Sequence, residues 1–409
     1  MDHLNNIQAS KRKYRRHALV AMLYFAIAAI LGVLLRFYPL SSFTFDYRYL
    51  VHAHSHIALL GWVYVALTTI LHYCFVKNDT TAHKRYNWIF WATQGTLMGM
   101  LLTFPFQGYA LFSIIFSTLF LIMSYIFFHH FLKNIDPKHK DSRALQCMKA
   151  ALWHMVISSL GPWALGMIMT LLGSQSIWYR IAIYFYLHFQ YNGWMVLALI
   201  GLVLFALEQQ GMVFPKKRFS RFFWSMNIGI VLTFFLSTLW TDPSPTVYVL
   251  AGIGTLAQLG AFGVLWVQFK GEAARLLLTK WQVILLKLVV VLFCIKLLLQ
   301  LLTTLPYFVQ MATRHIDLII GYLHLTFLGV ISIGLFFLMD YFKLFQVSRR
   351  PFQWYFLGFL TMEILIFYRG MAGWLQWPLW DGHTETLAVG SLLIPLSLLW
   401  MLLKNWLPS

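Results

Sequence analysis

Apolar stretches follow one another along almost the whole 409-residue chain, with only short polar breaks between them. Crossing the hydrocarbon core of a bilayer, roughly 30 Å thick, takes about 20 apolar residues in a helix. Helices are favoured there because each backbone amide then finds its partner within its own segment. The breaks predict twelve such helices, over 17–38, 52–76, 87–106, 110–132, 147–172, 181–207, 219–240, 246–269, 282–305, 315–342, 352–369 and 385–404. Only Phe104, Pro105, Phe106, Gln107 and Gly108 divide the third from the fourth, and they read as a tight turn because Pro and Gly end helices. The expected fold is an all-α, polytopic membrane protein, with residues 1–409 as a single integral membrane domain. With 60% of residues hydrophobic and 11% charged, no length is left for a soluble domain.

A formal net charge of +18 raises the question of a polyanionic partner, and the placement of the basic residues answers it. Lys11, Arg12, Lys13, Arg15 and Arg16 precede the first helix, which by the positive-inside rule puts the N-terminus in the cytoplasm. Every second loop is then basic: Lys77, Lys84 and Arg85; Lys133, Lys138, Lys140 and Arg143; Lys216, Lys217, Arg218 and Arg221; Lys270, Arg275 and Lys280; Lys343, Arg349 and Arg350. The alternate loops carry only Arg36, Arg48, Arg180, Arg314 and Arg369, at helix ends. This pattern accounts for the charge without nucleic acid and predicts a multi-pass protein of a bacterial inner (cytoplasmic) membrane with both termini cytoplasmic. Cys74, Cys147 and Cys294 show no metal-type pairing and read as packing residues. The basic N-terminus runs into a full-length span with no small-residue cleavage site, so the first helix is expected to stay as an uncleaved anchor.

Three segments share the pattern H-x4-G: His56 to Trp62, His188 to Trp194 and His324 to Val330. Their histidines are 132 and 136 residues apart, which places them in the second, sixth and tenth helices. Each is therefore the second member of a four-helix block, and the blocks run roughly over 17–132, 147–269 and 282–405. Such a repeat implies three four-helix arcs related by a pseudo-threefold axis. All three imidazoles fall near the outer ends of their helices, in one layer, so they are expected to converge on a buried site. Ionisable groups inside a membrane are costly and default to a functional reading, and neutral imidazole ligates haem iron and copper. The structural alternative for each is an interhelical hydrogen bond. In the first repeat, His52 and His56 share a helix face while His54 points nearly opposite.

At these residues the chain resembles the haem-copper oxidase superfamily, subunit I of the cytochrome oxidases and its nitric oxide reductase relatives. The string HSHIALLGW is similar to an H-x-H-x4-G-W segment of some members, and Ala53-His54-Ser55 resembles the step that supplies a low-spin haem ligand. The resemblance implies haem b as cofactor, with His54 or His56 and His324 as the axial pair. It further implies copper as a second metal, with His188 in the position of a copper ligand and His52 beside it. Arg369 and Arg314 would pair with haem propionates. The seventh helix has no histidine, which departs from the family's copper site, so a full oxygen-reducing centre is not expected. What remains is electron transfer or the handling of nitric oxide or oxygen, with other respiratory or haem-protein subunits as partners beside the lipid bilayer. Two other readings stay open. One is a twelve-helix secondary transporter or metal permease, and the other is an assembly or sensing subunit without chemistry.

Other residues carry weaker expectations. Lys296 and Glu363 lie deep in helices and need partners or water, an ion pair or a proton path being the two readings, while Lys287 is placed to snorkel. Tyr191 follows His188 by about a turn, and the three repeat glycines, Gly61, Gly193 and Gly329, are expected to permit close packing. Trp374, Trp377 and Trp380 suit an interfacial belt. Asp381, His383 and Glu385 form a loop cluster that reads as solvated, with a metal site as its functional alternative.

Overall fold

The computed structural model describes residues 2–42, 44–270 and 277–406 of the chain, and its side chains from residue 11 onward. Arg275 lies outside the described residues. Long helices dominate, in this order: α1 (Lys11–Leu40), α2 (Tyr47–Phe75), α3 (Thr80–Gln107), α4 (Leu111–Lys133), α5 (Arg143–Leu171), α6 (Ile177–Glu208), α7 (Lys216–Thr241), α8 (Pro245–Lys270), α9 (Lys280–Leu302), α10 (Ile316–Tyr341), α11 (Arg349–Leu375) and α12 (His383–Trp406). Eleven of them are long and apolar enough to cross a membrane. The other, α3, is 28 residues long but carries Thr93, Gln94 and Thr96 in its middle. With Thr68 and Tyr86, Thr93 and Gln94 line a cavity of about 10 Å³, the size of one water. Among the described residues there is no strand, and one isolated bridge pairs Val76 with Ile135.

The chain divides into two compact units. The first holds residues 1–137, 280–286 and 327–409, and the second holds 138–279 and 287–326. Three of the few acidic residues cap helix starts, where free N–H groups and the helix dipole favour a carboxylate. Asp46 accepts from the amides of Arg48 and Tyr49, Asp79 accepts from Ala82, and Glu208 at the end of α6 accepts from Arg143 and Ala144 at the start of α5. The turn between α3 and α4 falls where Pro105 and Gly108 predict it, although α3 runs through Pro105 to Gln107. Gly108 makes the turn at φ +58° with its missing side chain against Tyr49, a position that a Cβ would clash with.

Several helix limits lie a few residues from expectation, and two of these differences move candidate residues. α11 continues past Arg369 to Leu375, so Arg369 sits inside the helix rather than at its end; the helix carries through Gly370 and Gly373 and stops where Gln376 turns left-handed at φ 57°. Arg314 does not open α10 but closes a separate short helix, Pro306–Arg314, which Pro306 starts and His315 interrupts before Ile316.

Candidate functional site

In the first unit, α2 carries His52, His54 and His56 on two faces, as the helical period requires. His52 and His56 both meet the α3–α4 turn. The His52 ring is edge-on to Tyr109 at 4.6 Å, His56 stacks on Phe104 at 4.3 Å, and the Tyr109 hydroxyl donates to His56 Nε2 at 3.3 Å. His54 turns the other way, onto α1, where its Nδ1–H donates to the Ala28 carbonyl at 2.8 Å. Gly32 of α1 permits that approach, since a Cβ there would stand 2.9 Å from His54 Cε1. No described side chain or backbone group hydrogen-bonds to His54 Nε2.

Each H-x4-G histidine is followed at once by a π-helical segment: Ile57–Tyr64 after His56, Phe189–Val196 after His188 and Leu325–Ser332 after His324. A π turn accommodates one extra residue and is found disproportionately at functional sites. The widened turn frees carbonyls for side chains, so Ser332 donates to Phe327 and Tyr355 to Leu328, both at 2.8 Å. Two of the repeat glycines also lie against neighbouring helices. A Cβ on Gly61 would stand 2.9 Å from the Tyr24 ring of α1, and one on Gly193 would stand 2.6 Å from His154 Cβ of α5. Trp62 and Trp194, one residue on, are fully buried.

A carbonyl oxygen only accepts, so a ring nitrogen facing one carries the hydrogen, and in a neutral ring the other nitrogen keeps the lone pair. His56 Nδ1–H donates to the His52 carbonyl and His324 Nδ1–H to the Ile320 carbonyl, each at 2.8 Å, as His54 does to Ala28. All three therefore hold their lone pair at Nε2, the arrangement of a metal-ligating imidazole oriented from behind. His54 and His324 in this setting fit an axial haem ligand, while His56 Nε2 already accepts from Tyr109. His188 does not: its Nε2–H donates to the Ile230 carbonyl at 2.8 Å and its Nδ1 accepts from Asn192 Nδ2 at 3.2 Å, so both nitrogens are engaged. The copper role implied for His188 has no lone pair to rest on. Among the described residues no group of three or more His, Cys, Asp or Glu is arranged to hold a metal ion.

His188 instead belongs to a buried chain of neutral polar groups in the second unit, centred on Lys296, whose relative exposure is 1%. Lys296 Nζ donates to Asn192 Oδ1 at 2.6 Å and to Gln300 Oε1 at 2.7 Å; Gln300 donates to Gln258 at 3.0 Å and Gln258 to Thr233 at 2.9 Å. The ion pair, one of the two readings of Lys296, is absent from these bonds, since both acceptors are amides. Tyr191 is buried beside His188. Sequence reading passed over Asn192, Gln258 and Gln300, although His188–Asn192 and Lys296–Gln300 both have the four-residue spacing that aligns side chains on one helix face.

The remaining candidates differ in exposure. Arg314 is exposed, Arg369 is half-buried, Glu363 is buried and Lys287 is exposed on α9. His383 is buried, with Nε2–H donating to the Leu365 carbonyl at 3.1 Å and Trp380 against its ring at 4.7 Å, while Asp381 and Glu385 are exposed. No family model matches the chain, and no curated protein matches it.

Proposed function

We propose that the chain is a membrane-embedded, histidine-ligated haem b protein for electron transfer or the handling of nitric oxide or oxygen. The candidate axial donors are the Nε2 atoms of His54, His56 and His324. The observation that carries this reading is the common setting of the three imidazoles, each with Nδ1–H tied to a backbone carbonyl at 2.8 Å. That bond fixes both tautomer and ring orientation, and so holds the donor lone pair ready. His54 is favoured over His56 in the first repeat, because His56 Nε2 accepts from Tyr109. When bound, haem would supply one-electron chemistry, and an iron that takes a diatomic gas only where a single imidazole holds it; the protein's share would be the imidazoles and a dry setting for them. Purified protein from haem-replete cells should show a Soret band, b-type peaks on reduction and a pyridine haemochrome. A colourless preparation overturns the reading.

A further inference from the structure

A second set of histidines, outside every H-x4-G repeat, lies in the first unit where the ends of α1, α2, α3 and α4 meet. His130 of α4 and His72 of α2 bring their Nε2 atoms within 3.2 Å, with the rings 2° from parallel and their centroids 5.4 Å apart. Nε2 to Nε2 at that distance requires one nitrogen to carry the hydrogen and the other to accept it. The flanking groups decide which. Asn134 Nδ2 donates to His130 Nδ1 at 3.3 Å, so the neutral His130 carries its hydrogen on Nε2 and donates to His72. His72 then carries its hydrogen on Nδ1 and donates to the Tyr14 hydroxyl oxygen at 2.7 Å. Tyr14 in turn donates to His83 Nδ1 at 3.0 Å, and His83 Nε2–H donates to Asn78 Oδ1 at 3.0 Å. One directed chain thus runs from the α4 cap to the α2–α3 loop, with every ring nitrogen in it engaged once. Above it the two loops pair through the Val76–Ile135 bridge, with the Lys77 amide on the Asn134 carbonyl at 3.0 Å and the Asp136 amide on Phe75 at 2.8 Å.

Such a chain has no place for an extra proton. On His72 it would set two N–H groups against each other; on His83 it would leave the Tyr14 hydrogen without its acceptor; on His130 it would force the Asn134 amide to turn and give up the His130 carbonyl, which it holds at 2.8 Å. Cations surround it from each side, namely Lys13 from α1, whose ammonium holds the His83 carbonyl at 2.8 Å, and Arg85 from α3. His17 of α1 and His129 of α4 also face the cluster, and Asp79 beside His83 is its acidic neighbour. We propose that this imidazole–phenol chain is a proton-operated latch: uncharged, it clamps α1 to α2, α3 and α4, and uptake of one proton parts a bond of the chain and loosens the loop pair above it.

Hydrogen exchange on the full chain in lipid nanodiscs tests this at about pH 7.5 and about pH 5, either side of the ordinary imidazole pKa near 6.5. After correction for intrinsic rates, the Lys77 and Asp136 amides should exchange about tenfold faster at the acidic value, a change of about 1.4 kcal/mol. Tyr14→Phe keeps the ring and removes the central hydroxyl, so its exchange should be fast at both values. Nitrogen-15 spectra of histidine-labelled wild type should show, near neutrality, His72 protonated at Nδ1 and His130 and His83 at Nε2. Wild-type exchange that does not respond to pH, or His72 protonated at Nε2, overturns the proposal; the spectra decide it even where Tyr14→Phe fails to fold.

Discussion

In the first repeat His56 is followed four residues later by Leu60, and in the second His188 is followed by Asn192. Both histidines precede a π-helical segment and both motifs run on to a buried tryptophan, yet their rings are used in opposite senses. Beside His56 there is no polar side chain at that position, so its Nδ1–H turns back to the carbonyl of its own helix and the lone pair sits at Nε2. Beside His188, Asn192 donates to Nδ1, the hydrogen moves to Nε2, and Ile230 takes it. The third repeat follows the first, with Leu328 in the same place and the Ile320 carbonyl as acceptor. Asn192 and the Ile230 carbonyl together lock the His188 ring into a hydrogen-bond network, whereas the His56 and His324 rings carry their lone pair at Nε2.

The sharpest break of that comparison is ligand removal. His54→Ala should lower haem content at least about tenfold, the lower end of what disturbing even a group behind a ligand costs. His188→Ala should leave the haem spectrum of the folded protein intact, and equal loss in the two variants would erase the distinction drawn between them. Next in size is Lys296→Met, which leaves Asn192 Oδ1 and Gln300 Oε1 without their donor. Each buried acceptor so orphaned costs about 1–3 kcal/mol, read as a fall in unfolding midpoint. An unchanged midpoint would mean that the network is not closed as described.

Gly193→Ala tests the packing that the π turn permits. Its Cβ would press on His154 Cβ, and overpacking of that kind costs about 1–3 kcal/mol, whereas Gly252→Ala, which meets open space, should cost little by the same unfolding measurement. The smallest effect is also the most specific. In a Lys296→Met background, Asn192→Leu should leave the His188 hydrogen on Nε2, because the Ile230 carbonyl still faces that nitrogen. Nitrogen-15 spectra would report the tautomer, and a hydrogen that moves to Nδ1, toward the Tyr184 carbonyl, would show that Asn192, not Ile230, sets it.

Much of the architecture was legible in the chain. Apolar length set the helices, Pro105 and Gly108 set the α3–α4 turn, and helical period put His54 on the face opposite His52 and His56. The histidines of the latch were passed over because His72, His83 and His130 come from three different helices and share no spacing. Arg369 was read as a helix end because the apolar run stops at Arg369 and Gly370, yet the helix carries through both to Leu375.

By itself the sequence determined that this chain lies in a membrane as helices, since apolar runs and unpaired backbone amides admit no other solution in lipid. It also marked three equivalent histidines by their spacing. Which nitrogen each imidazole offers was decided only by the tertiary structure, because a tautomer depends on the single acceptor or donor that packing sets against the ring. For His188 that group is Ile230 of another helix, and for His54 it is Ala28, 26 residues away.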